Sequence, residues 1–220
     1  MSSPLDKLRA KAEACDRCDE LVAARSRVVF GDGPVAKGGL VVVGDGPGPK
    51  EDRRGRCFLG AEGKKARAMM AEAGLDPAAA FWTSVVLCNT GGRAPLPPEV
   101  DACKFRLRRT LDILRPRVVL AFGVHAARAL CVSAPKTHRT MRKLHGYIYD
   151  VGLKVRGNRQ VITVVVPTWP PRYLVRDGAA RFEADCREDF ARAKALLDGA
   201  QATGAWFCRE LPVDYGKGAR

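Results

Sequence analysis

The stretch Leu40-Val41-Val42-Val43-Gly44-Asp45-Gly46-Pro47-Gly48 decides the fold. A short β-branched run without polar alternation, broken by glycine, reads as a strand buried on both faces, as in parallel sheets covered by helices. Thr83–Leu87 is a second such run, closing on Cys88; Arg117–Phe122 and Val161–Val166 are a third and a fourth. Segments with helical spacing lie between and after them. Glu62–Ala73 stops at Gly74, and Pro97–Leu114 carries two prolines in its first turn with Pro116 beyond its end. His125–Cys131 reads as a short helix and Ala179–Leu197 as a final amphipathic one. Strands alternating with helices predict an α/β domain over residues 1–200, three layers deep (α/β/α), with a central, mainly parallel four-stranded sheet. Residues 201–220 read as a loosely held C-terminal tail, and no repeat or change of composition marks a second domain.

With 46% hydrophobic residues in 220, the chain has enough apolar surface for a sizeable core, which excludes disorder as its main state. Its 38 Lys and Arg outnumber 24 Asp and Glu, a formal charge of +14. A surplus of that size favours a polyanionic partner, because neutralising phosphates releases condensed counterions; a basic solubility surface is the plainer alternative. The loop Pro135–His145 concentrates part of this charge. No apolar run approaches the ~18 residues of a membrane span. Met1–Cys15 is charged and lacks the apolar segment of a secretory signal, so a cytoplasmic location is expected.

In a reducing compartment the eight cysteines do not suit a disulfide framework. Cys15 and Cys18 form a C-x2-C pair, and Cys88 and Cys103 lie farther along at the edges of predicted elements. One close pair plus two dispersed cysteines suits a four-thiolate iron–sulfur cluster, with zinc as the alternative. Cys57, Cys131, Cys186 and Cys208 have no partner at ligand spacing and read as small buried hydrophobes.

Ligands of open α/β sheets bind beyond the carboxyl ends of the strands. Those ends here are Gly44–Gly48, Cys88–Arg93 and Pro167–Arg172. Glycines admit a ligand close to backbone; Asp45 falls at the cleft floor, and Arg93, Arg172 and Arg176 fall where phosphates would be gripped. The Gly44-Asp45-Gly46 pattern lacks the third glycine and the adjoining helix of a dinucleotide site, and there is no P-loop motif.

Gly44-Asp45-Gly46-Pro47-Gly48 followed by Glu51-Asp52, Gly55, Phe58 and Gly60 resembles the first motif of the family-4 uracil-DNA glycosylases, G-E-[AG]-P-G-x-x-E-D-x-x-G-x-P-F-x-G. Cys15, Cys18, Cys88 and Cys103 match the family's [4Fe–4S] ligands in order and approximate spacing. Arg93-Ala94-Pro95 with Glu99 is similar to its N-R-x-P…E segment. Leu144-His145-Gly146 falls where the family has L-R-G, and Pro167–Arg176 resembles the second motif, P-T-Y-H-P-S-x-L-L-R. The resemblance implies a DNA glycosylase that flips a base out of the helix and hydrolyses its N-glycosidic bond; a basic DNA-reader of this size is expected to work as a monomer. It implies a catalytic role for Asp45, a pocket of Gly44, Gly46, Phe58, Ser84 and Pro170 with Phe58 stacked on the base, and DNA contacts from Arg93, Arg172, Tyr173, Leu174 and Arg176. Tyr173 and Leu174 fall where the family wedges the base stack. The cluster would have a structural role.

The departures are informative. Asp45 is one methylene shorter than the family's glutamate. Ser84 stands where the family has its base-reading asparagine, and a single hydroxyl cannot both donate and accept as an amide does. Pro170 stands where the family has a histidine that stabilises charge on the departing base. Cys88-Asn89-Thr90-Gly91-Gly92-Arg93 is one residue shorter than the family's C-R-P-P-G-N-R. Of the three histidines, His125 reads as packing, while His138 and His145 in the basic loop read first as phosphate contacts or exposed side chains, with functional substitution as the alternative. The expectation is a base other than plain uracil, bulkier or differently hydrogen-bonded, such as the glucosylated hydroxymethylcytosine of phage DNA, excised in antiviral defence. A catalytically silent DNA-binding or interaction module is the competing expectation, and an RNA or nucleotide binder the third.

Overall fold

The computed structural model describes residues 2–131, 134–154 and 160–203. Leu40–Gly44 is β1, Phe81–Ser84 is β2, Val118–Phe122 is β3, Tyr149–Lys154 is β4 and Gln160–Thr168 is β5. They form one sheet in the order β2-β1-β3-β5-β4, parallel except for the β4–β5 pair. All residues of β1, β2 and β3 are buried, as their unalternated apolar runs require.

Alternate strand residues feed two cores. Val41 and Val43 join Val119 and Ala121 on one face, beneath α1 (Pro4–Glu13), α5 (Pro97–Leu114) and α6 (Val124–Leu130). Leu40 and Val42 join Val118 and Leu120 on the other, beneath α4 (Ala61–Glu72) and α8 (Ala179–Thr203). The three-layer α/β/α architecture is therefore present. Three short helices complete the set: α2 (Asp19–Ala24), α3 (Pro49–Arg54) and α7 (Met141–Leu144), with a 3-10 turn at Pro171–Leu174.

The sheet has five strands, one more than the sequence pattern predicts. The extra one, β4, is an antiparallel edge strand paired Tyr149 to Val165 through Lys154 to Gln160. Its sequence, YDVGLK, mixes charge and glycine with apolar residues and carries no continuous run to announce it. β2 begins earlier than expected and ends at Ser84; Val85–Leu87 remain buried as an irregular extension, with Val85 N–H donating to Gly44 C=O at 2.9 Å. The last helix reaches Thr203, past the expected Leu197. Cys208 and most of the expected tail, 204–220, lie outside the described residues. No helix among the described residues is long and apolar enough to cross a membrane.

The chain leaves β1 for β2 on one side and returns to β3 on the other. That reversal opens a crevice at the carboxyl ends of β1 and β3, the standard ligand position of such sheets. The loops after β1, β2, β3 and β5 meet there.

Candidate active site

A cavity of about 470 Å³ opens at this crevice. It brings together Gly44, Asp45 and Gly46 from the β1 end, Phe58 from the following loop, Ser84 from β2, Phe122 from β3, and Pro170 and Arg172 from beyond β5. All the base-pocket positions implied by the sequence resemblance share one hollow.

Asp45 is held rather than free. Its Oδ1 accepts from the backbone N–H groups of His125 (3.1 Å) and Ala126 (2.9 Å), at the start of α6. Burial raises its pKa above the ordinary carboxylate range; the Ala126 N–H, the His125 side chain and Arg172 pull it partly back. Gly123, with φ of 98°, gives the carboxylate its room: a Cβ there would stand 2.5 Å from Asp45 Oδ2. Only glycine takes that backbone readily.

Phe58 has φ of 56°, a left-handed backbone that a bulky residue adopts only when its surroundings impose it. Its half-buried ring rests edge-on against Trp82 (5.0 Å between centroids) and near Phe122 (5.9 Å). A Cβ on Gly44 would lie 2.8 Å from Phe58 Cζ and 3.4 Å from Ser84 Oγ, so the glycine at the end of β1 lets ring and hydroxyl stand side by side. Glu51 fixes the loop from below, its Oε1 accepting from the N–H groups of Leu59 (2.7 Å) and Gly60 (3.0 Å).

The opposite wall differs from expectation. Leu174 is 3% exposed and packs in the core with Phe190 and Cys186, so it is not available as an intercalating wedge. The exposed apolar residue of the segment is Val175, at 48%. Tyr173 packs against Phe182 (4.8 Å) and Trp169 (5.8 Å), with the Arg176 guanidinium 4.2 Å from its ring centre. Arg172 and Arg176 are exposed, and Arg172 lines the cavity. Arg93 lines the cavity but is bound bidentately to Glu99 (2.9 and 2.5 Å), whose other bond, from Leu96 N–H at 2.7 Å, caps α5. That pairing raises the pKa of Arg93 and lowers that of Glu99.

None of the three histidine side chains lines the cavity. His138 Nδ1 is 3.0 Å from the Tyr149 hydroxyl. His145 lies behind the second wall, beside Trp169 (5.5 Å between rings) and 3.7 Å from Asp185, which accepts from Trp169 Nε1 at 2.8 Å. Asp189, fully buried next to His145, is pushed up to about 7 by burial. Sequence reasoning missed this brace, because residues from α8 and the α7–β4 turn meet only in the folded chain.

Cys15 and Cys18 lie half-buried between α1 and α2; Cys88 follows β2 and Cys103 sits in α5, both buried. Burial is the main cause of raised pKa values at Cys18, Cys88 and Cys103, and neighbouring members of the same set raise each further. The sulfurs are thus within electrostatic reach of one another. Yet among the described residues no three potential ligands close on one point tightly enough for a single metal ion. The four candidate ligands are all thiols, a donor set that suits iron–sulfur ligation and zinc alike. Arg25, unnoticed in the sequence, spans the set: it donates to Cys88 Sγ at 3.2 Å and to Cys15 C=O at 2.5 Å. Cys57, Cys131 and Cys186 are buried in the two cores, as expected of small hydrophobes.

A profile of the Uracil DNA glycosylase superfamily matches residues 30–193. The type-4 uracil-DNA glycosylase of Pyrobaculum aerophilum is 37% identical over 180 residues, covering 81% of this chain and 88% of that protein. The type-4 uracil-DNA glycosylase of Sulfurisphaera tokodaii is 30% identical over 198 residues, 87% of this chain and 84% of its own. That of Thermotoga maritima is 30% identical over 188 residues, 85% and 91% respectively.

Proposed function

The chain belongs to the uracil-DNA glycosylase superfamily, with type-4 enzymes among its relatives, and from that premise we propose that the cavity beside Phe58 receives a flipped base other than plain uracil. The protein is a DNA glycosylase; its substrate base and the roles of individual residues are the proposal. The observation that carries it is the cavity itself, in which Phe58, Asp45 and Ser84 stand together while no amide or histidine lines the wall.

The flipped base stacks on the Phe58 ring, worth about 1–3 kcal/mol for a base on an aromatic. As the N-glycosidic bond lengthens, its electron pair moves to the base and positive charge builds at C1′. Asp45, anchored by two backbone N–H groups, stabilises that charge and takes a proton from the water that attacks C1′. The base leaves as an anion and is protonated by solvent, leaving an abasic site. Arg172 and Arg176 hold phosphates at the rim, and Val175 takes the exposed apolar position first expected of Leu174. Arg93 shapes the cavity mouth through Glu99. Uracil's edge finds a serine and a proline here where an amide and an imidazole would read and neutralise it. A larger modified cytosine, up to the glucosylated hydroxymethylcytosine of phage DNA, is the outer limit of the proposal.

Abasic-site formation on oligonucleotides carrying uracil, hypoxanthine, cytosine and modified cytosines tests this. Faster release of a modified base than of uracil is expected. Uracil as the best substrate would refute the altered pocket, and no abasic sites on any substrate would favour the silent binding module.

Cys15, Cys18, Cys88 and Cys103 would hold a [4Fe–4S] cluster. When bound it supplies a cross-link, tying the α1–α2 junction to α5 and the loop after β2. Purified protein should contain about four irons per chain and absorb in the visible; stoichiometric zinc without iron would overturn the assignment.

A further inference from the structure

Three carboxylates line the cavity: Asp45, Glu51 and Glu62. Asp45 is bonded to the N–H groups of His125 and Ala126, and Glu51 to those of Leu59 and Gly60. The Glu62 carboxylate has neither hydrogen bond nor ion pair among the described residues. Lys65, three residues on in the same helix, is paired with Glu183 at 2.9 Å. Nor is Glu62 a loosely tethered surface acid. It is half-buried in the first turn of α4, between Gly60 and Gly63, and a Cβ on Gly60 would run into its Oε2. Gly63 in turn is pressed against the Phe58 backbone, so Glu62 is mounted on the loop that carries the aromatic plate. The Ser84 hydroxyl, beside that ring, likewise has no hydrogen bond among the described residues. The polar groups left open to a ligand on this side of the cavity are therefore a carboxylate, which only accepts, and a hydroxyl.

That pairing discriminates between bases. Uracil offers two carbonyl acceptors flanking one N–H, so a carboxylate set against a carbonyl is repelled and left unpaired. A base with an exocyclic amino group offers the N–H donor that a carboxylate accepts. We infer that Glu62 is a specificity-determining residue, accepting from the exocyclic amino group of a cytosine-class base. This rests on the reading of the cavity as a base pocket.

The test uses oligonucleotides with 2′-fluoroarabino versions of uracil, cytosine, 5-hydroxymethyluracil and 5-hydroxymethylcytosine, which resist hydrolysis, so that binding is read apart from turnover. The wild type should bind the two amino-bearing bases more tightly than their uracil counterparts. Glu62→Ala, and Glu62→Gln as the isosteric control, should each reduce that preference about tenfold or more, since a buried group loses its partner. Circular dichroism confirms that the variants fold. An unchanged preference in both variants overturns the inference while leaving the base pocket standing. A preference that follows the 5-hydroxymethyl group and ignores the amino group also overturns it. If the wild type binds none of the four above unmodified duplex, the pocket reading itself fails.

Discussion

The two walls of the cavity are built by different means. The wall from Gly44 to Glu62, a segment that includes α3 and the start of α4, is pinned by backbone bonds to carboxylates, with a strained phenylalanine at φ of 56° and a free glutamate facing the hollow. The wall from Trp169 to Val175 presents two prolines, and its aromatic residues turn inward to Asp185 and Phe182. The carboxylates and the Ser84 hydroxyl are gathered on the first wall, while the second adds the Arg172 guanidinium, shapes the space and is braced from behind by α8. Strain kept in place on one side and internal packing on the other teach that the chemistry belongs to the first wall.

If this asymmetry is right, damage should be unequal. Asp45→Asn should lower the single-turnover rate by roughly 10²–10³-fold with DNA affinity nearly unchanged, as expected for loss of a charge that acts on the transition state. Because burial raises the Asp45 pKa, the wild-type rate should fall as pH drops through a value above that of an ordinary aspartate. Its ionised form is the active one, so activity is retained above that pKa and lost below it; a pH–rate profile locates this acid limb. Next in size, Phe58→Ala should weaken binding of a flipped, non-hydrolysable base by roughly 10–100-fold, matching the stacking contribution. Tyr173→Ala, on the other wall, should instead appear mainly as a lower melting temperature. Equal binding losses from the two would break the comparison. Smallest, Pro170→His should raise uracil release by about tenfold if the second wall lacks only a charge-stabilising group. No gain would place the obstacle to uracil on the first wall alone.

Much of this was readable in the residues. The unalternated run Leu40–Val43 is buried on both faces, and the glycines after it mark the crevice because close approach of a ring to backbone excludes a Cβ. Asp45, Phe58 and Ser84 follow from motif position, and the structure brings them together. What escaped depends on contacts between distant segments. Motif position alone marks Leu174 as a wedge, yet residues of α8 cover it. Arg93 looked free for phosphate, but α5 brings Glu99 to it. Strand β4 carries no continuous apolar run because it is an antiparallel edge strand, alternating Tyr149, Val151 and Leu153 with Asp150, Gly152 and Lys154. Glu62 resembled an ordinary acid at a helix start, where such residues are favoured anyway. Only the cavity distinguishes it.

The central claim is that a base leaves the DNA stack and lies on Phe58 with its sugar above Asp45. A crystal structure with DNA carrying a 2′-fluoroarabino-modified cytosine tests it most directly. The account predicts the base plane against the Phe58 ring and C1′ facing the Asp45 carboxylate; a base still stacked in the duplex, or lodged away from Phe58, would contradict it.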